Sequence, residues 1–433
     1  MTISSSLNAG VAGLNANATR LATIADNIAN SGTYGYKRAA ADFHAMVLYG
    51  DNRSTYAAGG VRSSTMRLID ERGPLIATSN PTDIAVDGRG FLPVTNIGAL
   101  DDTSGDYPVA LTTTGSFRPD ENGILRSASG LVLMGWPAAA DGSLPDVPRD
   151  AMTALEPVRV NLNQNVANPT TLMNFGVNLP ATETMAGASG DPINLTVEYF
   201  GNLGTSETMD VTFTPTVPGT GASNEWTMEI TDTATGTVVG EYILTFDATQ
   251  GAGGTLASVT TVSGGAYDAA TGSIALGLPG GAIDFNIGIP GEPNGMTQLS
   301  SSFSPTAISK NGSPVASLAS VEIDENGYLH AIYDQGFSRR IYQIPVVDVA
   351  NPNGLVSLSN QTYQVSRDSG AFYLWNAGDG PTGSTMGFSR EESATDVAGE
   401  LTQLIQTQRA YSSNAKIIQT VDEMLQETTN IKR

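Results

Sequence analysis

The chain has no cysteine among its 433 residues. Disulfides, thiolate metal centres and a cysteine nucleophile are therefore excluded. Packing alone must hold the fold, and a chain exported unfolded would not cross-link on the way. Histidine is nearly as scarce, with only His44 and His330 present, far apart in the chain. A His-rich metal cluster is impossible, and a Ser-His-Asp triad would need one of these two. Basic residues are few: 21 Lys and Arg stand against 43 Asp and Glu, a net charge of −22. Such a surface repels nucleic acid and anionic membranes, so neither is expected as a partner. No apolar run reaches the length of a membrane span. The N-terminus also lacks the basic head, apolar stretch and cleavage site of a signal peptide. Those two absences suit a cytoplasmic chain or one exported without cleavage. No cofactor is called for, because DGRG (87–90) and GAGG (251–254) lie on no strand-to-helix phosphate loop. With 43 carboxylates some pair will always be close, and nothing selects one as a glycosidase acid and base.

Charge is missing locally too. Between Met1 and Tyr36 only Arg20 and Asp26 are charged. What is present there is a repeat: Leu7, Val11, Leu14, Ala18, Leu21, Ala25 and Ile28 are spaced alternately four and three apart. That is the seam of a coiled coil, and the uncharged outer face is expected to meet other protein. The C-terminal end is similar. Val397, Leu401, Leu404, Tyr411, Ala415, Ile418 and Leu425 follow the same spacing, with Gln408 and Asp422 as polar interruptions. Glu391, Glu392, Asp396 and Glu400 gather near its start while Lys432 and Arg433 close it, a polarity that suits the helix dipole. Two seams at opposite ends predict that the termini pair.

Between them the chain reads as β. TDIAVDGRGFLPV (82–94) alternates and then turns at Asp87-Gly88, while SFRPDENGILR (116–126) and VEIDENGYLHAIYD (321–334) read as hairpins turning at Asn122-Gly123 and Asn326-Gly327. The two Asp-Glu-Asn-Gly segments lack the alternating carboxylates and distal Glu of an EF-hand, so they read as turns. His330, beside the second, reads as a surface strand position. Proline-bearing WPAAADGSLPDVPRD (136–150) and Ser-rich LSSSFSPTAISKNGSPVA (299–316) read as linkers around a Thr/Gly-rich block. Inside it GAGGTLASVTTVSGGAY (251–267) reads as a surface loop. The fold class expected is a multi-domain, mainly β chain with an α-helical terminal domain. Its architecture is nested: paired terminal helices (1–35 and 396–433), a connecting region (36–71 and 363–395), a β-rich middle domain (72–144 and 301–362), and an inserted outer β-domain (145–300).

The stretch NIANSGTYGYKR (27–38) ends the first helix. Asn30 and Gly32 are types that tolerate a left-handed helix end, and Gly35 permits a further bend. Tyr34 and Tyr36 can anchor the exit, and Lys37 and Arg38 supply the first cluster of charge. Taken whole, ADNIANSGTYGYKR (25–38) resembles the signature that follows the first helix in bacterial flagellar axial proteins. LIQTQRAYSSNAKIIQTVDEML (404–425) resembles that family's C-terminal helix, with Gln408, Arg409, Tyr411, Asn414 and Asp422 in place, as Asn27, Asn30, Gly35 and Lys37 are in the first motif. Rod, hook and hook-associated members share both motifs. PTDIAVDGRGFLPV, TGSFRPDENGILRSASGLVLMGWP and the segment from VASLASVEIDENGYL onward resemble the hook branch, in matching order.

The resemblance implies a structural, non-enzymatic subunit that self-assembles into the hook, a flexible tube acting as a universal joint between rod and filament. It implies the terminal helices inside, the insertion outside, and export by the flagellar type III apparatus without signal cleavage. Implied partners are further copies of the chain, the rod, a hook cap, hook-filament junction proteins and a hook-length control protein. A distal rod or hook-associated axial protein is the alternative within the family. A secreted adhesin or an extracellular hydrolase is the alternative outside it.

Overall fold

A computed structural model describes residues 3–47, 58–101, 107–139, 142–161 and 165–431. The closing Lys432 and Arg433 lie outside the described residues. The chain forms two compact units, one of residues 1–162, 320–332 and 338–433, the other of 163–319 with 333–337.

In the first unit, helix α1 (Ile3–Ala29) and helix α2 (Val397–Ile431) are the two ends of the chain. Asp396 caps α2, its Oδ1 accepting from Ala398 N at 3.0 Å. After α1 comes a hairpin of Ala39–Ala45 with Val61–Arg67, in continuous register from Ala39 opposite Arg67 to Ala45 opposite Val61. From there incoming and outgoing chain pair: Leu75–Ala77 lies antiparallel to Ser389–Glu391, and Asp83–Asp87 to Ser384–Gly387. Segments about three hundred residues apart are thus zipped backbone to backbone, which is the physical content of the nested order. Leu92–Asn96 pairs with Ala110–Thr112 and Leu131–Pro137. Phe91, Leu111, Met134, Trp136, Val347, Tyr363 and Leu374 are all buried in one core beneath these strands.

Both Asp-Glu-Asn-Gly segments are turns built alike. Asp120 Oδ1 accepts from Asn122 N and Ile124 N, each at 2.9 Å. Asp324 Oδ1 accepts from Asn326 N at 3.0 Å and Tyr328 N at 2.8 Å. Gly123 (φ 75°) and Gly327 (φ 81°) close them in the left-handed region. Each glycine carbonyl then accepts from a passing segment of chain, from Val160 N and Ile344 N, both at 2.7 Å.

The second unit is one lobe with two sheets. Five antiparallel strands run as a meander: Ile193–Phe200, Ser206–Pro215, Glu225–Asp232, Thr237–Phe246 and Leu256–Ser263. The other sheet is organised on Leu172–Pro180, parallel to Gly281–Asn286 and Thr297–Leu299 and antiparallel to Ser304–Lys310. Phe175, Phe213, Trp226, Tyr242 and Phe285 form its core, with the Phe175 and Phe285 rings 5.0 Å apart. Alternating burial along EWTMEITD fits a sheet with one face inward.

The unit starts and ends later than 145–300 for a definable reason. Leu155 packs in the first unit's core, and Val158 N donates to Leu133 O at 2.9 Å, so 145–161 belongs with the first unit. At the other end, Ser304–Lys310 and Ser313–Ile323 are strands rather than linker. Backbone pairing to a buried neighbour needs no apolar side chains, so Ser and Pro content misleads there. The same applies to 251–267. Its centre, Leu256–Ser263, is an exposed edge strand rather than a loop.

Candidate assembly site

The line of closest approach between α1 and α2 is not the apolar seam. Gly10, Gly13, Ala16, Asn17, Ile24 and Asn27 are the buried positions of α1. A Cβ on Gly10 would stand 3.2 Å from Ile418 Cγ1, and one on Gly13 would stand 2.8 Å from Asn414 Nδ2. The glycines that weaken α1 as an isolated helix are the residues that let α2 approach. Across the same face Arg20 Nη2 donates to Gln403 Oε1 at 3.3 Å. Leu7, Leu14, Leu21 and Ile28 flank this line half-buried, while Val11 is 43% exposed.

On α2 the inner line is Glu400, Gln403, Leu404, Thr407, Asn414, Ile418 and Val421. Leu404 and Ile418 of the expected seam are on it. Leu401, Tyr411 and Leu425 are exposed, as are Ile405 (52%), Ile417 and Met424. Gln408, Arg409 and Asp422 face outward, Asp422 accepting from Gln426 Nε2 at 3.1 Å. Beyond Val421 every described side chain of α2 is exposed. The expected seam is thus only partly covered within the chain: Leu404 and Ile418 are half-buried, whereas Leu401, Tyr411 and Leu425 on the same side of α2 stay exposed, because alternating spacing identifies an apolar line without saying how much of it one partner covers.

At the exit of α1 the chain unwinds through tight turns: Ser31 N to Ile28 O at 3.2 Å, Thr33 N to Asn30 O at 3.0 Å, and Tyr36 N to Thr33 O at 3.2 Å. The left-handed residue is Gly35 (φ 69°), not Asn30 or Gly32. Asn30 instead ties back to Asp26 O through Nδ2 at 2.9 Å. Gly35 N donates to Glu391 O at 2.8 Å, bringing the motif against the outgoing chain.

The junction so formed is a buried polar network. Lys37 is fully buried; its Nζ donates to Glu391 Oε1 at 2.6 Å and to Glu71 O at 2.7 Å. Glu391 Oε1 also accepts from Gly73 N at 2.9 Å, and Arg72 Nη1 stands 3.8 Å from Oε2 without a hydrogen bond. Asn27 binds four ways: Nδ2 donates to Glu400 Oε1 at 3.0 Å and to Ala39 O at 2.8 Å, and Oδ1 accepts from Ala39 N at 2.8 Å and from Tyr36 OH at 3.1 Å. Arg38 joins Glu71 at 3.1 Å and stands 3.5 Å from Glu400. Tyr36 OH donates to Asp26 Oδ2 at 2.9 Å. Tyr34 remains 37% exposed, with the Arg390 guanidinium 3.7 Å above its ring.

Burial pulls the Lys37 ammonium down to about 8 against the opposing pull of Glu391. Burial, helped by Asp26, pushes Tyr36 up to about 12. The Glu71 carboxylate holds Arg38 above its usual range, and burial lowers Arg72. In the sequence Lys37 and Arg38 read only as the first cluster of charge. Their partners Glu71, Glu391 and Glu400 lie far away in the chain, and the acidic run FSREESATDVAGEL was the only signal of two of them. Glu391, in the connecting region ahead of α2, is a strand residue at this junction. No group of three or more residues suited to hold a metal ion occurs among the described residues, and no helix there is long and apolar enough to cross a membrane.

Comparison with known proteins fits this geometry. Residues 7–37 match the family described as flagella basal body rod protein, and 387–431 the C-terminal family of flagellar basal body rod FlgEFG proteins. Residues 161–313 match the D2 domain of flagellar basal body protein FlaE. Helix, junction and insertion together therefore define a flagellar axial protein. Over their full lengths the chain is 33% identical to the flagellar hook protein FlgE of Brucella suis and 32% identical to that of Rhizobium meliloti. The chain belongs to the flagellar hook protein FlgE family. Among solved structures, hook protein FlgE2 of Helicobacter pylori aligns at a TM-score of 0.46 and 13% identity, covering 74% of this chain and 99% of that one.

Proposed function

We propose that this chain is the repeating structural subunit of the bacterial flagellar hook, assembling with further copies of itself. Membership of the hook protein family supports the reading, and the observation that carries it is the set of large apolar side chains that the paired helices leave exposed. Val11, Leu401, Ile405, Tyr411, Ile417, Met424 and Leu425 are each at least 40% exposed, on helices that carry their polar partners inward. Burying one such side chain contributes about 1.5–3 kcal/mol, while ordering backbone costs about 1–2 kcal/mol per residue. A helix pair near balance gains its stability from neighbouring copies. In this reading the paired helices line the inside of a tube, the first unit forms its wall and the inserted lobe its outside. The tube bends as a universal joint and carries torque from rod to filament. Rod, cap, junction and length-control proteins are its further partners, and export through the type III apparatus delivers it.

Ile405→Asp tests this, because Ile405 touches solvent in the single chain. Salted-out wild-type protein should form flexible tubes by electron microscopy, and the variant should stay monomeric with unchanged circular dichroism. Normal tubes from the variant would sink the helix-driven mechanism; straight, stiff tubes from the wild type would favour a rod subunit.

A further inference from the structure

A groove of about 830 Å³ opens on the first unit beside the loop that leaves α1. Arg118, Arg126 and Arg390 line it, with Asp120 as the one carboxylate among the residues around it. That is a local excess of positive charge on a chain of net charge −22. Three features there run against local preference. Arg118 and Arg126 are directly opposed across an antiparallel pair, where like charges repel. Arg126 has only Asp120 for relief, at 3.8 Å, and Arg118 has no ion pair among the described residues. Asn360 (φ 61°) and Gln361 (φ 55°), on the same groove, are consecutive non-glycine residues held left-handed. The Thr112 hydroxyl holds that strained turn by donating to Gln361 O at 3.2 Å. Finally, the buried Arg390 Nε has no hydrogen-bond partner. Unfavourable choices that converge on one concave surface mark a site whose compensation comes from elsewhere.

We infer that this groove is a docking site for a carboxylate-bearing segment of a second copy of this chain. Guanidinium groups offer paired N–H donors that match a carboxylate. A second copy brings 43 acidic side chains against 21 basic ones, so charge complementarity favours it as occupant. The incoming carboxylates separate the opposed arginines electrically and give them closer partners than the described residues of the single chain supply. The inference rests on the polymer reading above but concerns a surface distinct from the helix face.

The test compares the full-length wild type with Arg118→Gln/Arg126→Gln, and with the charge-reversed Arg118→Glu/Arg126→Glu. The critical concentration for assembly should rise about tenfold or more in the Gln pair, and further in the Glu pair. The thermal midpoint of the monomeric Gln pair should hold or rise, since a repulsion has been removed; a purely structural role would lower it. A photo-cross-linker at position 118 should capture an Asp- or Glu-bearing peptide of another copy. Equal assembly by wild type and both variants overturns the groove and leaves the polymer reading standing. A wild type that never assembles overturns both. Cross-links confined to non-acidic peptides or to a different protein also overturn the inference.

Discussion

Replacing Glu391 by Gln is the sharpest probe of how the two ends of the chain are tied to the β strands. Lys37 is fully buried 2.6 Å from Glu391, and its remaining partner is Glu71 O. Stranding one member of a buried ion pair costs about 3–5 kcal/mol. The loss has a ceiling, because the ammonium can shed its proton. From its ordinary value of 10.5 this costs about 5 kcal/mol at pH 7. Lys37→Met should cost less, about 1–3 kcal/mol, because Glu391 keeps Gly73 N at 2.9 Å and Arg72 at 3.8 Å. The pH dependence separates the variants further. Folded Lys37 titrates near 8 and unfolded Lys near 10.5, so between these values the unfolded chain binds more protons and stability rises with pH. The slope reaches about 1.4 kcal/mol per pH unit at most, and Lys37→Met abolishes it. Above pH 10 Tyr36, held up to about 12, acts in the opposite sense, since the folded state then keeps the extra proton. Urea unfolding in a Trp226→Phe background reads this unit through Trp136 and Trp375, from pH 7 to 10. A Lys37→Met variant as unstable as Glu391→Gln, or one that keeps the pH slope, would refute the reasoning.

Gly10→Ala and Gly13→Ala should part company. Both gain about 1 kcal/mol of helix propensity. The new Cβ at 13 would lie 2.8 Å from Asn414 Nδ2, whereas that at 10 would lie 3.2 Å from Ile418 Cγ1. Gly13→Ala should loosen the pair by about 1–2 kcal/mol, seen as faster hydrogen exchange in α1, and Gly10→Ala should not. Gly123→Ala and Gly327→Ala should each cost about 2–3 kcal/mol in urea unfolding, because a Cβ would meet Val160 O or Ile344 O at a left-handed φ. Variants as stable as the parent would mean that the turns yield.

Much of this protein was legible from residue order, for reasons that are local. A four-and-three spacing over many turns specifies a helix with an apolar line, and α1 and α2 lie where that spacing placed them. Asp-x-Asn-Gly specifies its own turn, because the Asp side chain, the Asn-Gly backbone and the glycine's positive φ are neighbours in sequence. The long-range features were decided only in three dimensions. Which side of α1 meets α2 depends on backbone clearance, so Gly10 and Gly13, with the least side chain, prevailed over Val11. Whether Lys37 is a surface charge or a buried tie depends on Glu391, 354 positions away, and no local pattern carries that pairing. Strand content in 304–310 followed from the partner strand 172–180, not from its own Ser-rich composition. Sequence thus determined the elements and the family motifs, since propensity and periodicity act over a few residues. Tertiary structure decided which faces are spent inside the chain and which remain for a neighbour, since burial is a property of pairs of surfaces.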